Sequence, residues 1–101
     1  MSAANRTFAD ETIIAAAADQ ASVDLDDEAA ILNLKTGIYF GLNDVGAWIW
    51  RLIQEPHSVA DIRAAVLAEF EVDAETCQSD LQALLRDLEQ NQLIEVRLAG
   101  G

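Results

Sequence analysis

One cysteine, one histidine, one proline and only six basic residues occur in this 101-residue sequence. Each scarcity removes a class of function. Cys77 alone cannot form an internal disulfide, and with His57 it cannot furnish a dedicated zinc site. A nucleophile–base pair would require those two residues to meet. Cys77 falls at a core position of a predicted helix, where a small apolar filler is expected, and His57 follows Pro56 in a loop. No dinucleotide fingerprint, phosphate loop or HExxH pattern occurs. The chain reads as a non-enzyme with no cofactor and no metal.

Long apolar runs are missing too. None approaches the roughly 18 residues of a membrane span, and the N-terminus lacks a basic-then-apolar signal layout. A soluble, cytoplasmic protein with no membrane partner is expected. The six bases are scattered among eighteen acids, for a net charge of −12. Such a surface repels phosphate backbones, so no nucleic acid partner is expected, and basic or apolar peptides fit better. The acidic runs solvate the surface and can steer a basic partner. What the chain does have is 51% apolar residues, enough for the core of one domain.

Residues 1–11 read as a flexible tail ahead of a single domain over 12–98. Thr12 to Ala17 suits either a helix or an edge strand, with strand favoured. Ala21, Val23 and Leu25 alternate with Ser22, Asp24 and Asp26, the pattern of a half-buried strand. After the acidic turn Asp26-Asp27-Glu28, Ala29–Leu34 and Ile38–Leu42 form a hairpin around Lys35-Thr36-Gly37, with glycine where φ turns positive. Closed by Leu34 and Ile38, this loop pairs Leu32 with Phe40 and Ala30 with Leu42. It then groups Leu32, Leu34, Ile38, Phe40 and Leu42 on one face and Asn33, Tyr39 and Gly41 on the other. In that register the Tyr39 and Gly41 N–H groups point outward.

Three capped helices follow. Asn43, Ser58 and Asp73 are the N-caps. The apolar stripes are Val45-Trp48-Ile49-Leu52-Ile53, Val59-Ile62-Val66-Leu67-Phe70 and Cys77-Leu81-Leu84-Leu85-Leu88. Trp50 falls off the first stripe, either packed on the N-terminal segment or marking a contact for a partner enzyme. Leu93 to Val96 reads as a short returning strand. The order predicts an α+β, winged helix-turn-helix-like fold, a small antiparallel sheet followed by three helices.

The run Glu28–Asn43 (EAAILNLKTGIYFGLN) with Asp44–Trp50 (DVGAWIW), continued by Ser58–Ile62, Phe70–Asp73 and Asp80 to Ile94, resembles the PqqD family. That family takes its name from pyrroloquinoline quinone biosynthesis and includes the discrete leader-binding proteins of lasso-peptide pathways. Gln54-Glu55-Pro56 replaces the Cys-Asp-Gly turn of the quinone branch, and no Trp follows the third helix, which brings the lasso branch closer. The resemblance implies a RiPP recognition element. Such a module binds the leader of a ribosomally made precursor as an added strand and delivers it to a processing enzyme such as a leader peptidase; a chaperone role for a radical SAM or other peptide-modifying enzyme is the alternative. It implies a groove with Tyr39, Phe40, Gly41 and Leu42 on a strand wall. Asp80, Leu81, Leu84, Leu85 and Leu88 would form the facing helix wall. For the leucines, plain core packing is the competing reading. Two other classes compete: a structural or interaction domain with a different peptide ligand, and a winged-helix DNA-binding regulator. The regulator's recognition helix, Asp73 to Asn91, would carry five acids against Arg86 alone, the wrong sign for a major groove.

Overall fold

Local chemistry sets where each helix begins. In the computed structural model, which describes residues 7–97, β1 (Ile13–Ala16), β2 (Gln20–Leu25), β3 (Glu28–Asn33) and β4 (Tyr39–Leu42) precede α1 (Asp44–Leu52). Then come β5 (His57–Ser58), α2 (Val59–Glu69), α3 (Ala74–Gln90) and β6 (Ile94–Arg97). The Asn43 side chain accepts from the Gly46 N–H at 2.9 Å, Ser58 from Asp61 at 3.0 Å, and Asp73 from Thr76 at 2.9 Å. All three caps stand where the sequence puts them. The Thr76 backbone and hydroxyl bonds hold the Asp73 carboxyl below its ordinary range.

The strands form two antiparallel sheets, ordered β5-β1-β6 and β2-β3-β4. The ambiguous Thr12–Ala17 segment is a strand, and it lies at the centre of its sheet instead of at an edge. His57 is not a loop residue: it pairs with Ile14 across β5 and β1. That pairing follows from the N-terminal segment, whose Thr12 and Asp10 carbonyls accept the Val59 and Ala60 N–H groups at 2.9 Å each. These are the first-turn donors that α2 cannot satisfy itself.

From Phe8 the stretch expected as a tail is packed; residues 1–6, and residue 98 at the other end, lie outside the described range. Phe8 is buried, and the buried Gln82 amide of α3 both accepts from its N–H (2.7 Å) and donates to its carbonyl (2.9 Å). Asp10 pairs with Arg63 at 2.8 Å, which lowers its carboxyl pKa. The core joins Ile14, Ile31, Leu42, Ile49, Ile53, Ile62, Leu85 and Leu88 into one cluster. Trp50 belongs to it, buried, which removes it as a partner contact.

The hairpin register differs by one residue from the expected one. Ile31 pairs with Phe40, Leu32 with Tyr39, Ala30 with Gly41 and Ala29 with Leu42. The cause is Asn33. Its side-chain oxygen accepts the Lys35 and Thr36 N–H groups (2.9 and 3.2 Å), starting the turn one residue earlier than Leu34. Its carbonyl accepts the Gly37 N–H at 2.8 Å, with Gly37 at φ +74. The loop therefore has four residues, 34–37. Leu34 and Ile38 are exposed, Leu32 joins Tyr39 on the outer face, and Asn33 is buried, against the expected sorting.

β2 departs as well. Its register puts Ser22 and Asp24 opposite the core-facing Ile31 and Ala29, and Asp24 reaches Arg51 of α1 at 3.3 Å. Ala21, Val23 and Leu25 therefore face outward, Val23 and Leu25 at 58% and 53% exposure.

Asn33 also donates to the Asn91 carbonyl at the C-cap of α3, at 2.8 Å. Removing a buried amide that serves three partners should cost about 2 kcal/mol, mainly by leaving buried groups unpaired. Asn33→Ala should therefore lower the melting temperature by about 10 °C, since each kcal/mol moves a domain of this size by roughly 4–8 °C. A thermal melt within about 2 °C of wild type would contradict this role.

Candidate functional site

β4 is an edge strand of the β2-β3-β4 sheet. The Asn33 backbone N–H donates to the Ile38 carbonyl at 3.0 Å, so this is a bonded pair, and antiparallel alternation makes Ile31–Phe40 and Ala29–Leu42 bonded pairs too. The main-chain groups of Tyr39 and Gly41 consequently point away from β3. The one-residue shift falls entirely on β3, so the outward parity expected for β4 stands. Neither lysine nor proline, the usual guards of an exposed edge, occurs in Tyr39–Leu42.

Beside this edge runs a groove of about 550 Å³ between β4, the first turns of α1, and α3. Helical spacing gives α3 two stripes. Cys77, Leu81, Leu85 and Leu88 are buried, while Asp80, Leu84 and Asp87 turn toward the groove, with Leu84 half-buried between two exposed carboxylates. Val45, Ile49, Val66 and Val72 supply apolar floor and walls. Gly46 lets α1 approach β4: a Cβ there would stand 3.2 Å from the Leu42 side chain. At Gly41 an added Cβ would meet nothing within 4 Å.

Of the residues singled out in the sequence, Phe40, Gly41, Leu42, Asp80, Leu81 and Leu84 line this groove. Tyr39 stands outside it, 71% exposed on the outer sheet face. Leu85 and Leu88 are at 0% exposure and belong to the core. Sequence reasoning missed Val45, Gly46, Ile49, Val66, Val72 and Asp87, among others. A signal existed for the first two: Asn43 caps α1 directly after β4, so the first turn of that helix has to lie beside the end of the strand.

Burial raises the Cys77 thiol pKa, the opposite of nucleophile activation. Among the described residues no group of three or more His, Cys, Asp or Glu could hold a metal ion, and no helix is long and apolar enough to cross a membrane.

The two stripes of α3 can be separated by mutation. Leu81→Glu should unfold the protein, because an unpaired charge at a 2% exposed position is costly. Leu84→Glu should leave the protein folded but melting roughly 5–10 °C below wild type, because Leu84 is half-buried and the new carboxylate, though able to reach solvent, stands one helical turn from both Asp80 and Asp87. Two collapsed melts would show that Leu84 belongs to the core.

Comparison with protein families matches residues 28–94 to the family described as coenzyme PQQ synthesis protein D (PqqD). Among solved structures, TbiB1 in complex with the TbiA(beta) leader peptide is 40% identical. It superposes with a TM-score of 0.73 over 80% of this chain and 94% of that one. A lasso peptide synthetase B1 complexed with its leader peptide is 26% identical, with a TM-score of 0.69 over 81% of this chain and 96% of that one. No curated protein matches the sequence. The matched stretch runs from the first residue of β3 to the first of β6 and takes in the β4 edge, the groove and all three helices, and on that ground the chain belongs to the PqqD family.

Proposed function

We propose that this protein is a RiPP recognition element, a non-catalytic module that binds the leader of a ribosomally made precursor peptide and delivers it to a processing enzyme. A leader peptidase of a lasso-peptide pathway is the enzyme that fits best, acting in the cytoplasm where the precursor is made. The observation that carries the reading is the open β4 edge at the mouth of an apolar groove. Its support from outside the chain is that both similar solved structures hold leader peptides.

The binding mode is strand addition. The outward main-chain groups of Tyr39 and Gly41 pair with the leader backbone, and alternate leader side chains enter the groove against Phe40, Leu42, Leu81 and Leu84. Backbone bonds give affinity without sequence preference; the pocket selects. Its charged lining is acidic, Asp80 and Asp87, so a leader with apolar residues flanked by lysine or arginine is favoured. Rate enhancement comes from holding the precursor at high effective concentration beside the enzyme.

Calorimetric titration with the cognate leader peptide tests this. Gly41→Ala keeps the outward N–H and fills open space, so leader affinity should change by no more than about twofold, near the few tenths of a kcal/mol usual at such sites. Gly41→Pro deletes that donor and should weaken binding about tenfold, the 1.4 kcal/mol scale of a lost hydrogen bond. Leu84→Glu should weaken it at least as much while the protein stays folded. Absence of leader binding by the wild type, or retention of duplex DNA at low salt with no response to leader, would reject the proposal.

A further inference from the structure

The outer face of the β2-β3-β4 sheet is largely apolar and is covered by none of the described residues. Ala21, Leu32 and Tyr39 lie in one cross-strand row, Val23, Ala30 and Gly41 in the next, and Leu25 beside Glu28 in the third. Val23, Leu25 and Tyr39 are 58%, 53% and 71% exposed. β2 thus has the alternation of a half-buried strand, with its polar parity turned toward the protein's own helices and its apolar parity turned to solvent. Core formation does not account for that pattern. A contiguous apolar face on a monomer marks an interaction surface.

Two features of the face select its occupant. At one end it meets Asp26, Asp27 and Glu28. At the other, Lys35 is already paired with Asp19 at 3.2 Å. The free charge at the rim is therefore acidic, and a second copy carrying −12 is a poor match. The face is also continuous with the proposed leader edge, since Tyr39 and Gly41 belong to both. A strand added to β4 would widen this same face by one strand.

From these observations we infer that the outer sheet face docks the precursor-processing enzyme, through an apolar patch on that enzyme flanked by lysine and arginine. The inference rests on the leader-binding reading for the identity of the partner. Because bound leader extends the face, the enzyme binds the loaded form more tightly than the empty one.

The experiment measures binding of the purified leader peptidase of the same precursor, by interferometry, with and without leader peptide. Val23→Lys and Leu25→Lys change exposed positions on β2, which β3 separates from β4, and lysine is tolerated on edge strands. Both should keep the wild-type melt and leader affinity, yet bind the peptidase about tenfold or more weakly, as loss of an interface anchor does. Asp26→Asn with Asp27→Asn should slow association with the peptidase several-fold and flatten its salt dependence; asparagine tolerates the positive φ of Asp26. Wild-type affinity for the peptidase in both lysine variants would overturn the inference. So would a wild-type dimer in sedimentation that Val23→Lys dissolves, since the face would then belong to a second copy. Leader titration, run separately, reports on the leader-binding reading: a wild type that binds peptidase through this face but no leader would fail that reading and not this surface.

Discussion

The buried amide of Asn33 holds together the two walls on which the site depends. Through its oxygen it begins the β3–β4 turn, and through its nitrogen it donates to the carbonyl of Asn91, the C-cap residue of α3. The first contact decides which β3 residues face each β4 residue. The second fixes the distance between the end of the hairpin and the end of the helix. An edge strand and a helix held at a set spacing leave a groove, and the groove takes its chemistry from what each element turns inward. A small domain has little core to spare, so a side chain that ties two elements carries more weight here than in a larger one.

Exposure is concentrated where the fold could have avoided it. An unguarded strand edge and an apolar sheet face are ordinarily liabilities, because either can recruit a second copy. The net charge of −12 offsets that risk by keeping copies apart. α3 divides its surface with the same economy: Leu81, Leu85 and Leu88 hold the helix in the core, and the neighbouring stripe of Asp80, Leu84 and Asp87 is left for the groove. A peptide that supplies main-chain partners to β4 and apolar side chains to the groove satisfies the edge and the groove at once and leaves the outer sheet face open.

Much of this was legible in the residues alone, and the failures share one physical cause. Caps act over three residues, so Asn43, Ser58 and Asp73 announced their helices. Glycine at positive φ announced the hairpin. The register slipped because either Asn33 or Leu34 can open the turn locally, and no local pattern reveals that Asn33 will be buried with its amide on the Asn91 carbonyl, 58 residues away. β2 showed its period but not its parity, since alternation reports two faces without saying which one meets the core. The strap at Phe8 was hidden for the same reason, its partner Gln82 lying 74 residues away. Within α3, one stripe of leucines could not be divided into core and groove until its neighbours were in place, which is why Leu85 and Leu88 stood beside Leu84 among the expected site residues.

Amide hydrogen exchange of the backbone, resolved by residue with and without bound leader, tests the central claim most directly. Strand addition to β4 predicts that the Phe40 and Leu42 amides are protected in both states, being committed to β3, while Tyr39 and Gly41 exchange freely alone and become protected in the complex. Protection that appears on Phe40 and Leu42, or that leaves Tyr39 and Gly41 unchanged when leader is saturating, would contradict it.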